Sequence, residues 1–560
     1  MLAQLQSKTI HQFLFENARS IPHHCACYFN DSQLRLTWEQ LYQEVKTLAK
    51  GFLSLGVQKG QHVGIWATNV PEWYLSQLAC GVIGVPLVTL NPEWKVNELE
   101  YALSQSDTAY LVMIEGFIKK GKERDFSYDY LSILSQVDLS KITQLSKVIL
   151  INKDPQTQMR AKREIKKDVV SFASLKANAS EVLDQEFERV TQKVSPKDLC
   201  MIQYTSGTTG FPKGVMLSHY NVLNNALVAV THMRLTKSDR LCGPVPDYHC
   251  FGSILVNLCG LVSGAEIVIP FPYFDVHRTL EVIAKEKCTA LHGVPTMFYE
   301  ELEEWDFNQL KTSHLRTGII AGAPCPRELM KSIIEKMGAR EITIGYGLTE
   351  ASPITHQTSP SDSLETRVNT VGRVIEHTEA KIVDPNTLES LGVNEIGEIW
   401  VRGFHVMKGY YKNPEETKKA IHDGWLRTGD LGAVDELGYY RIVGRIKEMF
   451  IVGGHNVYPA EAEQFLLTLF EKEIEMIKLV GVPHPKLQEV AAAAIILNRN
   501  QKFTKEEFLA RCEGNLEWPK IPRYILFVED FKNVMTVTGK IQKFKLKKLI
   551  MEKFNIMDNP

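Results

Sequence analysis

From Thr37 the chain reads TWEQLYQEVKTLAKGFLSLG and then, after a short polar break, HVGIWA, and this change of hydrophobic period most restricts the fold. Leu41, Val45, Leu48, Phe52 and Leu55 recur at helical spacing, Thr37 and Gln40 form a capping box, and Gly56 supplies the stop. Residues 62–67 are too short and too evenly apolar for an amphipathic helix and read as a buried strand. The same alternation returns with YLVMIE at 110–115, KVILIN at 147–152 and AEIVIPF at 265–271. Strands alternating with helices specify a layered α/β domain.

The rhythm has two interruptions. Between about 117 and 196 the pattern weakens and becomes charged, with AKREIKKD at 161–168, and reads as a peripheral insertion or a solvated helix face. Beyond about 390, GEIWVRG, GYYRIVG and IKEMFIVGG are short strands parted by glycine turns, the texture of a small mixed or antiparallel β unit. A compact α+β pattern follows: a helix opening at Pro459, strands at MIKLVGV and VAAAAIIL, and a lysine-rich helical end. A chain of 560 residues exceeds a single core, and the boundary is expected near 444–447, giving domains 1–446 and 447–560.

Charge is nearly balanced, 64 Lys+Arg against 66 Asp+Glu, so no global field favours nucleic acid or an anionic membrane. The ten cysteines are scattered and read as free thiols of a reducing compartment; only Cys25 and Cys27 lie close, with no second pair to complete a zinc site. The apolar runs 78–90 and 254–261 are shorter than the ~20 residues needed to cross a bilayer. No basic-then-apolar leader opens the chain, and the expected location is cytoplasmic.

Residues 204–219, YTSGTTGFPKGVMLSH, concentrate glycine, hydroxyl residues and a lysine between apolar flanks. Glycines let successive N–H groups of Thr205, Ser206, Gly207, Thr208, Thr209 and Gly210 turn toward anionic oxygens; the hydroxyls add donors and Lys213 adds a full charge. The stretch reads as a polyphosphate-binding loop. Its spacing differs from the G-x-x-x-x-G-K-[ST] of P-loop NTPases, so another nucleotide-binding family is indicated.

Together with GYGLTE at 345–350, AGAP at 321–324, WLRTGD at 425–430, GRIKEMFIVGGHNVYPAEAE at 444–463 and TVTGKIQKFK at 536–545, this loop closely resembles the signature of the adenylate-forming (AMP-binding) enzymes. The tighter likeness is to acyl-CoA synthetases, and within them to medium-chain synthetases of the family member 2 type, through GYGLTEASPI and MTVTGKIQKFK. The resemblance implies a small, mobile C-terminal domain that rotates between two half-reactions. It implies a ligase joining a medium- to long-chain fatty acid to CoA: ATP and the acid give an acyl-adenylate and pyrophosphate, and CoA then displaces AMP. The alternatives are a fatty-acyl-AMP ligase that loads a separate carrier protein, or a ligase of aryl or other carboxylates.

By the same resemblance, Tyr346 and Gly347 lie against adenine with the turn of Gly322, Ala323 and Pro324. Thr349 contacts the α-phosphate, and Glu350 holds Mg²⁺, for which a carboxylate is the preferred hard oxygen ligand. Asp430 accepts from the ribose hydroxyls, Arg445 contacts ribose or phosphate, and Lys447 is the hinge. Gly453 and Gly454 let the pantetheine arm of CoA pass close to backbone, and Lys540 bridges carboxylate and α-phosphate as a mobile point charge. In PDYHCFG at 246–252, His249 shapes the site around the acyl carboxylate, and Cys250 stands where amino-acid-activating relatives place an aspartate. Val534 stands where family members usually carry proline before the Met-Thr pair. The implied partners are a small carboxylic acid, ATP and CoA, without nucleic acid or an integral membrane; the sequence leaves a homodimer open.

Overall fold

The computed structural model describes residues 3–119, 125–152, 154–205, 212–305, 314–498, 501–535 and 541–557. Two compact units emerge, one of residues 1–368, 374–379 and 402–426, the other of 369–373, 380–401 and 427–560.

The first unit is built on two large sheets. In the eight-stranded sheet, Leu199–Thr205, Leu87–Thr89, His62–Trp66, Thr108–Ile114, Lys147–Ile151 and Asp168–Ser171 lie side by side in parallel. Lys213–Ser218 and Gly409–Tyr410 extend it antiparallel beyond Leu199–Thr205. The nine-stranded sheet has a parallel centre made of Glu341–Gly347, Thr317–Ala321, Ala290–Gly293, Arg240–Cys242, Glu266–Ile269 and Cys25–Phe29. Strands such as Thr108–Ile114 are buried on both faces, which is why they appear in the sequence as unbroken apolar runs.

The helices follow the local rules. Trp38–Ser54 begins on the Thr37–Gln40 capping box, buries Leu41, Val45, Leu48 and Phe52, and ends before Gly56 at φ +84°. Leu55 is only partly buried. Pro71–Val82 and His219–Met233 are buried nearly all round, and Asn225 of the latter exchanges two hydrogen bonds with the backbone of Ile354. A polar side chain so deep is tolerated because both its donor and its acceptor are used.

The region 117–196 corrects one expectation. Lys147–Ile151 and Asp168–Ser171 are the last two strands of the eight-stranded sheet, so this stretch is part of the domain frame and not an insertion. The helix Pro155–Glu164 fits the solvated reading, with Ala161 as its buried residue. Asp168–Ser171 is the edge strand, and edge strands tolerate polar residues on their open side, which blurred the pattern there.

In the second unit, Ile474–His484 and Gln488–Leu497 form a long hairpin extended by Phe450–Val452 and His455–Val457 and, in parallel, by Tyr524–Phe527. Helices Pro459–Leu469, Lys505–Cys512 and Lys543–Phe554 cover it, with Phe470, Phe508, Leu466, Leu546 and Ile550 in the core. Trp425–Val434 and Tyr440–Arg445 pair in a separate five-stranded sheet. IKEMFIVGG therefore divides from GEIWVRG and GYYRIVG, because its strand Phe450–Val452 joins the C-terminal sheet.

All ten cysteines are free and nine are buried. No helix among the described residues is long and apolar enough to cross a membrane.

Candidate active site

Thr205 ends one strand and Lys213 begins the next, and the two stand opposite each other in register. The two strands are thus adjacent and antiparallel. Ser206, Gly207, Thr208, Thr209 and Gly210 lie outside the described residues, as does Lys540.

On the nine-stranded sheet, Ala321 and Gly345 are paired at the carboxyl ends of adjacent parallel strands. The exposed turn of Gly322, Ala323 and Pro324 therefore begins beside the half-buried Tyr346 and Gly347, the last two residues of the neighbouring strand. Carboxyl ends of parallel strands form the crevice where α/β sheets bind ligands. Gly322 has φ +85°, a value that favours glycine. Chain reversal at Gly347 also excludes a side chain, since a Cβ there would lie 1.8 Å from the carbonyl oxygen of Pro353.

Thr349 and Glu350 follow in a short 3-10 turn. Thr349 Oγ1 lies 3.6 Å from the Sγ of Cys250, which is itself 3.5 Å from His249 Nδ1, so the PDYHCFG turn and GYGLTE meet. His249 caps this turn by accepting the N–H of Phe251 at 3.2 Å. Burial pushes the Cys250 thiol up to about 12, so it stays protonated. Behind the turn, Asp247 accepts from Asn257 Nδ2 at 3.1 Å, and Asn257 donates also to Gln77 Oε1 at 3.0 Å. Asp247 is 1% exposed, and burial raises it to about 7 against the opposing hydrogen bond from Asn257. Burial likewise lowers His292 to about 4 and His356 to about 3, keeping both neutral.

The segment 407–420 completes this side of the unit, and the sequence reading missed it. Tyr410 Oη donates to Glu350 Oε1 at 2.7 Å, and the N–H of Met407 donates to the carbonyl of Glu350 at 2.8 Å. The ammonium of Lys213 lies 4.8 Å from the centroid of the same Tyr410 ring and pairs with Glu416. Hydrogen bonds from Lys213 and then Lys419 hold Glu416 down to about 2. The available signal was GYYKNPEET at 409–417, an aromatic and acidic run directly after a glycine.

In the second unit, Asp430 and Arg445 are cross-strand partners, with Arg445 Nε donating to Asp430 Oδ1 at 2.8 Å. Asp430 is 4% exposed while the Arg445 side chain is 45% exposed, so the carboxylate is set deep and its cation reaches outward. Lys447 sits in the turn after Arg445, where the N–H groups of Glu448 and Met449 both donate to the Arg445 carbonyl at 3.0 Å. Gly453 and Gly454, at φ +55° and +86°, form the two-residue turn between Val452 and His455, so hairpin geometry already requires both glycines.

Among the described residues no cluster of three His, Cys, Asp or Glu could hold a metal on its own. Glu350 is a single carboxylate with one oxygen anchored by Tyr410. That donor set fits an ion such as Mg²⁺, which keeps most of its waters and takes its other oxygens from phosphates.

Residues 14–411 match the family model described as AMP-binding enzyme. The chain is 43% identical over 560 residues to a Bacillus subtilis (strain 168) protein named acyl-CoA synthetase YngI, with 99% of each chain covered. It is 38% identical over 557 residues to the mitochondrial medium-chain acyl-CoA ligase ACSF2 of Bos taurus, covering 99% of this chain and 89% of the relative. Among solved structures, the anthranilate CoA ligase AuaEII in complex with anthranoyl-AMP superposes with a TM-score of 0.83 at 26% identity, with 98% of each chain covered. Extent, identity and fold agree: this chain belongs to the AMP-binding enzyme family, among its acyl-CoA synthetases.

Proposed function

We propose that the protein is an ATP-dependent medium- to long-chain fatty acid:CoA ligase that works through an acyl-adenylate. A carboxylate is a poor acyl donor because its leaving group would be oxide; converted to a mixed anhydride with AMP, it becomes open to attack by a thiol. The observation that carries this reading is the meeting of Lys213, Tyr410, Glu350, Thr349, Cys250 and His249 at one side of the first unit.

In this reading, Thr205, the loop after it and Lys213 bind the polyphosphate, while Tyr346, Gly347 and the 322–324 turn take the adenine. Thr349 donates at the α-phosphate, where charge develops. Glu350, aimed by Tyr410, would hold Mg²⁺, which supplies charge neutralisation across the phosphates when bound. His249 and the neutral Cys250 border the acyl carboxylate; a thiol at this position offers no charge to a substrate ammonium, which favours acids without an α-amino group. Asp430 accepts from the ribose diol with Arg445 beside it, and Lys540 carries the charge that follows the carboxylate onto the phosphoryl group. Residues 447–560 turn about Lys447 to bring Gly453 and Gly454 to the incoming pantetheine for the second half-reaction.

Medium-chain specificity is supported by the names of the ACSF2 relatives, and a cytoplasmic setting by the free thiols and the likeness to a bacterial synthetase. The deciding experiment measures AMP and pyrophosphate with ATP, Mg²⁺ and acids of graded length plus aromatic acids, each with and without CoA. Turnover that needs CoA and peaks with medium-length fatty acids is expected; CoA-independent AMP release would favour a carrier-loading ligase, and a peak with aromatic acids would overturn the fatty-acid assignment. Lys540→Ala should lower adenylation by about 10²-fold or more while leaving thioester formation from supplied acyl-adenylate within a few fold; equal losses would remove Lys540 from the first half-reaction.

A further inference from the structure

Lys213 opens the strand Lys213–Ser218, whose outer neighbour is Gly409–Tyr410 with Val215 opposite Tyr410. That register brings the Tyr410 ring to 4.8 Å from the Lys213 ammonium. The chain then turns into the helix Pro414–Ala420, tied back by the N–H of Tyr410 donating to Thr417 Oγ1 at 2.8 Å, while the N–H of Glu416 donates to Asn413 Oδ1 at 3.2 Å. These bonds fix where Glu416 stands. One of its oxygens meets Lys213 and the other meets Lys419 at 2.7 Å. Lys213 is largely covered, its side chain 16% exposed, whereas that of Lys419 is 72% exposed.

Two cations on one carboxylate is more than charge balance requires, and the arrangement is asymmetric. The covered lysine belongs to the phosphate loop; the exposed one lies on the same helix as the carboxylate, three residues on. We propose that Glu416 is an internal stand-in for substrate phosphate: it holds Lys213 on the face of Tyr410 until a nucleotide polyphosphate takes the ammonium over, and Lys419 neutralises Glu416 once Lys213 has left. The proposal rests on the reading of Lys213 as a phosphate ligand. A covered ammonium without an anion would be costly, and so would a carboxylate abandoned by its partner; the exchange avoids both, because each charge is paired before and after nucleotide arrives.

The opposite signs expected of two variants make the idea testable by equilibrium binding of ATP to the full chain, without carboxylic acid so that no turnover intervenes. Glu416→Gln removes the competing anion and should tighten ATP about two- to fivefold, the range of a partly covered ion pair. Lys419→Met leaves Glu416 dependent on Lys213 and should weaken ATP about two- to threefold. In the double variant the Lys419 effect should vanish, because the carboxylate it neutralises is gone. Glu416→Gln binding ATP equally or more weakly, with Lys213→Met still weakening it, overturns the stand-in role and leaves Lys213 a phosphate ligand. Lys213→Met without effect on ATP binding would remove the underlying reading and the proposal with it. If Glu416→Gln does not fold, the Lys419→Met arm decides: weaker binding supports the exchange, and unchanged or tighter binding overturns it.

Discussion

Asp247 in the first unit and Glu463 in the second are both buried carboxyls, 1% and 5% exposed, yet their surroundings drive them in opposite directions. Asp247 has Asn257 as its side-chain donor, and burial raises it to about 7. Glu463 suffers the same desolvation, but Lys478 at 2.9 Å, Lys543 at 2.7 Å and the N–H of Leu479 at 2.9 Å outweigh it and hold the group below its ordinary value. Burial alone therefore does not decide charge; the number of cations delivered by neighbouring elements does. Behind the PDYHCFG turn, the first unit favours the protonated form of its carboxyl. The second uses a fixed charge to join the helix Pro459–Leu469, the strand Ile474–His484 and the helix Lys543–Phe554, whose first residue lies three positions beyond Lys540.

The largest effect expected is at Glu463. Glu463→Gln takes the closest carboxylate from Lys478 and from Lys543, which keeps Glu448 at 3.4 Å, and should destabilise the second unit by about 3–5 kcal/mol, read by calorimetry as an earlier transition. Because the folded-state value of Glu463 is depressed, its contribution is full above the unfolded carboxylate range and is lost as pH falls through the folded value. The gap between wild type and variant should therefore close in acid.

Asp247→Asn should behave with the reverse sign. A group raised from 3.8 to about 7 binds its proton more tightly when folded, so wild-type stability relative to the variant declines as pH climbs from about 4 to about 7, by about 4 kcal/mol in all. Unfolding of both proteins at pH 4.5 and pH 8 checks this; a gap that moves the same way with pH as that of Glu463→Gln would break the contrast.

The smallest effect sharpens it. Thr9 is 3% exposed and caps the helix Ile10–Ser20 through the N–H of Gln12. Thr9→Ala should cost about 1 kcal/mol with no dependence on pH, since a neutral donor and acceptor are lost and no proton is involved. A pH-dependent loss at Thr9 would show that the first two gaps report something other than the titration of their carboxyls.

How much of this was legible in the sequence follows from how local each determinant is. The capping box at Thr37 and the heptad-like face of Leu41, Val45, Leu48 and Phe52 involve residues within one or two helical turns, and the structure has them as expected; the equally local box of Thr9 and Gln12 was not read from the sequence. GYGLTE and the AGAP turn were found as strings, and the pairing of Ala321 with Gly345 explains why the two strings adjoin. The glycines at 453 and 454 were visible, but their requirement by the hairpin turn was not, since it depends on the pairing of Val452 with His455. The strand at 147–151 was legible as KVILIN, whereas the one at 168–171 was obscured by the charged run of the helix before it.

By itself, then, the sequence determined the alternation of strands and helices, the helix ends, and the chemistry available near each motif, because these depend on residues close along the chain. Tertiary structure alone decided which charges face one another: Tyr410 reaches Glu350 across 60 positions, Glu416 reaches Lys213 across 203, and Lys543 reaches Glu463 across 80. Strand order and register fix those meetings, and a carboxyl becomes a neutral group or a fixed anion only when they have done so.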